Sequence, residues 1–218
     1  MSAETVQSII DDLGALLLFT MILIVAASQI SRAIYAVAAQ SLFIAIAGAV
    51  FATATGNADL WVIAGVTLAV KAIVLPWGLH WVVRRMNVRR EVEPVIPIAA
   101  TLALALMVVV MSFHLSASLG IVRQAITGNA LPVGIALTLT GVLVMATRKT
   151  ALSQMVGLFA SENGIFFTAM AVTQGMPLII EIGVILDVIL AALVMTIMVL
   201  RVRSTVDADI ADLDRLKG

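Results

Sequence analysis

Long runs of apolar residues separated by short polar or glycine-bearing breaks dominate the chain. They cover Leu13 to Ile30, Ala33 to Ala54, Leu60 to Val83, Pro94 to Phe113, Leu131 to Ala146, Ala151 to Ala171 and Pro177 to Leu200. A helix needs about 20 such residues to cross the hydrocarbon core of a bilayer. The pattern therefore predicts an all-α integral membrane bundle of about seven transmembrane helices. The breaks are Ser31-Arg32, Thr55 to Asp59, the basic run from Arg84 to Arg90, Arg148 to Thr150, and Gln174-Gly175. Only residues 115 to 130 form a longer connection, and Leu119 to Ile126 within it reads as a surface helix or as an overrun of the fourth span. The runs are continuously apolar over helix length, which disfavours a β-barrel with its alternating pattern.

Composition strengthens the membrane reading. Of 218 residues 62% are hydrophobic and 12% charged, and the mean hydropathy is +1.14, which excludes an ordinary soluble domain. Lys and Arg together number 13 and so do Asp and Glu, so no basic excess points to nucleic acid. Cysteine is absent. The chain thus lacks the ligands for iron–sulfur clusters and any thiolate nucleophile, and no cofactor is expected in it.

The few basic residues sort by side. Arg32, Arg84, Arg85, Arg89, Arg90, Arg148, Lys149, Arg201, Arg203, Arg215 and Lys217 follow spans one, three, five and seven, whereas Arg123 alone lies on the opposite side. Short cytoplasmic loops carry the excess of Lys and Arg, so the N-terminus is expected outside and the C-terminus inside. Glu4, Asp11 and Asp12, with no basic residue before the first apolar run, argue against a cleaved signal.

One offset, 148 − 32 = 116, superimposes several unusual residues: Arg32 on Arg148, Lys71 on Asp187, Arg85 on Arg201, Gly48 on Gly164 and Phe51 on Phe167. This indicates two parallel three-helix repeats joined by one extra helix. The expected divisions are a first repeat over 1–90, a connecting helix and external loop over 91–130, a second repeat over 131–203 and an acidic cytoplasmic tail over 204–218.

Four ionisable residues fall inside predicted spans: Lys71, Glu162, Glu181 and Asp187. A charge at mid-bilayer costs several kcal/mol unless it faces protein or water. At ~1.5 Å of rise per residue, Glu162 lies roughly 21 Å from Arg148, and Asp187 and Lys71 lie equally far from Arg201 and Arg85. Glu181 lies nearer the outer face. Carboxylates and a lysine at one depth suit a proton relay, because burial favours the neutral form of each group while a nearby opposite charge favours the charged form. Structural ion pairs holding the bundle together are the plainer reading.

Other motifs carry less. His80 and His114 lie toward opposite ends of the membrane, which disfavours a bis-histidine haem, and His80 beside Trp77, Trp81 and Arg84 reads as an interfacial residue. The 11 methionines suit packing. Pro76 is able to break the helix near Lys71. No unwound mid-span segment is indicated.

Val156-Gly157-Leu158-Phe159-Ala160-Ser161-Glu162-Asn163-Gly164, followed by Pro177 to Asp187, carries a resemblance. Over nearly its whole length the sequence resembles component E of the hydrogenase 4 family, a membrane subunit of group 4 energy-converting hydrogenase and formate hydrogenlyase complexes. The last three spans are also similar to the small three-span subunit K of respiratory complex I and to its small counterpart in multisubunit cation/proton antiporters. In those relatives a Gly-Leu-Glu on the middle helix and a glutamate on the third are linked to proton transfer. Here Phe159 follows Gly157-Leu158, the acid comes one turn later as Glu162, and Asp187 matches the second acid.

The resemblance implies a non-catalytic membrane-arm subunit of an oxidoreductase complex in the inner (plasma) membrane. Its partners would be antiporter-like and other membrane subunits, and Glu162, Asp187, Lys71 and Glu181 would serve proton or sodium translocation. A free-standing secondary ion transporter and a structural membrane scaffold are the alternatives.

Overall fold

A computed structural model describes residues 2–85, 94–118 and 129–173. Over these residues the chain is all-helical: α1 (Ala3–Ala26), α2 (Ile30–Thr55), α3 (Ala58–Val66), a π-helical segment (Thr67–Val74), α4 (Leu75–Arg85), α5 (Ile98–Ser118), α6 (Ala130–Thr147) and α7 (Ala151–Thr173). The π segment runs directly between α3 and α4, so the three form one span. Among the described residues five helices are long and apolar enough to cross a membrane: α1, α2, the composite Ala58–Trp81 span, α5 and α6. α7 carries Ser161, Glu162 and Asn163 in its middle. The expected seventh span, with Glu181 and Asp187, lies outside the described residues, as does most of the 115–130 connection.

Several expected boundaries shift for local reasons. The first helix begins ten residues before the apolar run, because the Ser2 hydroxyl accepts the Thr5 N–H at 3.3 Å and caps the free amide end. It ends at Ala26, where Ala27 turns to ψ 120°. Ser31 and Arg32, read as a break, therefore sit in the first turn of α2. α2 stops at Gly56, whose φ of 70° is the left-handed conformation that glycine adopts without a Cβ penalty. Pro94 does not open the fourth span. It forms a bridge with Arg148, Val95 N–H donates to Thr147 O at 2.8 Å, and the helix runs instead from Ile98 to Ser118, past the expected end at Phe113, while Leu119 to Ile126 lie outside the described residues.

Contacts along paired helices give their directions. Gly14 packs on Val133 while Arg148 reaches Val25, so α1 and α6 run parallel. Asn163 bonds Gln40 while Met170 packs on Gly48, so α2 and α7 run parallel too. α6 and α7 are antiparallel and joined by a seam of glycine. A Cβ on Gly141 would lie 2.8 Å from Gly157 O, and one on Gly157 the same distance from Gly141 O. One turn pair further along, Cβ atoms on Gly134 and Gly164 would lie 3.0 and 2.8 Å from each other's carbonyl oxygens. Lipid tails are as apolar as leucine, so close van der Waals packing of small residues, and not water exclusion, holds such helices together.

Arg148 closes one end of the bundle. It is 3% exposed, and its Nη2 donates to Val25 O at 2.6 Å. This guanidinium serves the carbonyl end of α1, which has no basic residue of its own in its last turn. Burial lowers its pKa below the ordinary guanidinium value, while an arginine remains charged at neutral pH. Its own carbonyl accepts from Gln154 Nε2 at 3.0 Å. The equivalent residue at the repeat offset, Arg32, is exposed.

Candidate functional site

Lys71 and Glu162 come together in the interior. Lys71 is in the middle of the composite span and Glu162 in the middle of α7, and Nζ lies 3.3 Å from Oε2 with side chains 4% and 10% exposed. The neutral bulk of the bundle thus encloses a compensated pair of charges, the arrangement that makes ionised groups tolerable at membrane depth.

The backbone around Lys71 departs from a regular α-helix. Leu75 N–H donates to Val70 O, five residues back, closing the wide turn of a π-helix. Pro76 follows at the second residue of α4. Its ring has no N–H and would collide with the carbonyl four residues back in regular α geometry, and a widened turn accommodates both facts. Pro76 therefore distorts the helix without breaking it, and the mid-span irregularity lies at the lysine. Widened turns of this kind recur at functional positions in helices.

Beside Glu162 lies a polar cluster between α2 and α7. Asn163 Nδ2 donates to Gln40 Oε1 at 3.2 Å and to Ser41 Oγ at 3.1 Å, and Gln40 Nε2 approaches Met21 Sδ at 3.8 Å. Gln40, Ser41 and Asn163 are all buried. Asn163 Oδ1 has no hydrogen-bond partner among the described residues. Buried amides of this sort are costly when unsatisfied and rigidify their surroundings when satisfied. Gln40 and Ser41 were not picked out from the sequence. The available signal was their polarity within the apolar stretch from Ala36 to Ala47.

Of the four expected ion-transfer residues, Lys71 and Glu162 are brought together, whereas Glu181 and Asp187 lie outside the described residues. His80 stands apart from this pair. Its Nδ1 is 3.2 Å from Pro76 O, and its ring stacks at a tilt on Tyr35, with centroids 4.5 Å apart.

These features define a polytopic helical membrane protein with a lysine–glutamate pair enclosed between helices. No family model and no solved structure matches the chain. It is 36% identical over 151 residues to the uncharacterized protein Rv0085 of Mycobacterium tuberculosis, in an alignment covering 69% of this chain and 68% of that one. The chain belongs to the family of that mycobacterial protein.

Proposed function

We propose that the chain is an ion-translocating membrane subunit of a larger complex, in which Lys71 and Glu162 form one step of a proton or sodium path through the bilayer. The observation that carries this reading is the 3.3 Å pair itself, buried at mid-span on a widened helical turn and flanked by Asn163, Gln40 and Ser41. A proton passed from the ammonium to the carboxylate turns two charges into two neutral groups, so a modest change in nearby charge is able to shift the proton between them. The polar amides beside Glu162 offer donors and acceptors for a hydrated route.

Resemblance to component E of the hydrogenase 4 family supplies the rest of the reading. The bundle would hold seven spans in two parallel triplets, with α1 and α2 equivalent to α6 and α7, consistent with the parallel contacts of those helices. Asp187 and Glu181 on the last span would extend the path, and antiporter-like subunits in the plasma membrane would be its neighbours. Electron transfer would belong to partner subunits, since this chain has no cysteine to hold a cluster.

A scaffold role is favoured by the same pair if it serves packing alone. Vesicles carrying the whole complex separate the two readings, with proton uptake, redox rate and subunit stoichiometry measured together. Under the proposed role Glu162→Gln and Asp187→Asn lower ion uptake while the complex stays assembled. Full ion uptake by an intact double variant rejects it, and loss of assembly with normal coupling in what remains supports the scaffold.

A further inference from the structure

A row of large apolar side chains runs along the outside of the composite span and ends at a cationic recess. Ile73, Trp77 and Trp81 follow one another at four-residue spacing, and are 60, 70 and 43% exposed. Residues four apart share a helix face. The recess at the end of the row has a volume of about 320 Å³ and is lined by Tyr35, Pro76, Trp77, His80, Trp81 and Arg84. A second hollow of about 290 Å³ adjoins it and adds Gln29 and Ser31 from the start of α2. Tyr35, His80 and Arg84 line both.

We propose that this surface binds an anionic phospholipid, its phosphodiester headgroup in the recess against Arg84 and one acyl chain along Ile73, Trp77 and Trp81. The proposal does not depend on the ion-transfer reading. Arg84 is exposed, and no carboxylate among the described residues pairs with it. A guanidinium presents paired N–H donors that match the oxygens of a phosphate. His80 Nδ1 faces the Pro76 carbonyl, which only accepts, so that nitrogen carries hydrogen and Nε2 remains as the ring's other polar atom. The tilted contact with Tyr35 holds the ring in place. Tryptophan and tyrosine settle at headgroup level in bilayers, with the ring in the apolar layer and the polar edge outward. A free phosphate would use the recess and leave the apolar row unexplained. A zwitterionic lipid would set an ammonium beside Arg84, so the anionic class fits best.

The test uses the full chain with Trp61→Phe, which leaves Trp77 and Trp81 as the fluorescent residues, reconstituted in phosphatidylcholine vesicles. Phosphatidylglycerol brominated on its acyl chains is compared with brominated phosphatidylcholine as a quencher at equal mole fraction. The expected relative association is about fivefold in favour of phosphatidylglycerol, the magnitude of one basic side chain at an anionic surface. Arg84→Gln should remove that preference and Arg84→Lys should retain most of it. Arg32→Gln, which deletes the same charge from an exposed position outside the recess, should leave it intact. Equal quenching by both lipids overturns the proposal. So does a preference that survives Arg84→Gln, or one that Arg32→Gln abolishes equally, which would reduce it to a general field. Millimolar inorganic phosphate should not alter the quenching. Displacement of the lipid by it would make the recess a site for the free anion.

Discussion

The ammonium of Lys71 and the carboxylate of Glu162 lie 3.3 Å apart between two helices that the chain reaches in separate halves of its length. Because both side chains are buried, removing either charge strands the other. Lys71→Met should destabilise the protein by about 3–5 kcal/mol where Glu162 stays ionised, and Glu162→Gln by less, since the amide oxygen still accepts from the lysine. The double variant should lose less than the sum of the two. Unfolding in detergent, followed by near-ultraviolet circular dichroism, measures all four corners of the cycle, and additive losses would show that the two groups are not coupled.

The glycine seam predicts a sharp contrast between positions. A Cβ on Gly141 meets Ser161 N at 2.5 Å and Gly157 O at 2.8 Å, both backbone atoms that cannot turn aside. Gly141→Ala should cost about 1–3 kcal/mol by forcing α6 and α7 apart. Gly65 has nothing within 4 Å of such a Cβ. Gly65→Ala should be neutral or stabilising by up to about 1 kcal/mol through helix propensity. Melting temperatures of the two variants in one detergent decide it, and equal effects would contradict the seam.

Asn163 joins α7 to α2 through Gln40 and Ser41. Asn163→Ala should cost about 1–3 kcal/mol, because the buried Gln40 Oε1 loses its donor. Asn163→Leu with Gln40→Leu should recover part of that loss, since both amides of the pair are then gone and Ser41 alone loses its donor. Thermal unfolding of the single and double variants checks the order, and a double variant worse than either single change would reverse the conclusion.

Arg148 and Arg32 occupy equivalent positions at the repeat offset but not equivalent surroundings. Arg148→Gln should destabilise by about 1.5–3 kcal/mol, because it removes a charged donor from the Val25 carbonyl. Arg32→Gln, on an exposed side chain, should change stability by less than about 0.5 kcal/mol. Proteolysis between α1 and α2, around Ser28, should rise in the Arg148 variant alone. Similar behaviour of the two variants would mean that the buried bond contributes little.

The all-helical, membrane-crossing character of the described residues was legible in the amino-acid pattern, because a bilayer demands long unbroken apolar runs and tolerates few interruptions. The ionisable residues stood out for the same reason: Lys71 and Glu162 are conspicuous in such a background, and counting residues from the span ends placed them at one depth. Depth is a property of a single helix, which is why the sequence alone supplied it. The identity of the partner is not, since Glu162 and Asp187 were both expected at that level, and only the packing of α7 and of the composite span against α2 brings Glu162 to Lys71. Helix ends also escaped the hydrophobic pattern: Ser2 caps locally through its hydroxyl, and Arg148 reaches across to another helix, a contact that depends on where helices meet. The widened turn at Lys71 follows from Pro76 within its own span, whereas the burial of Gln40 with Asn163 and the glycine seam of α6 with α7 arise between helices. Both of these are relations between surfaces of helices whose apolar sides look alike in sequence, and close packing in three dimensions selects which of those surfaces face each other.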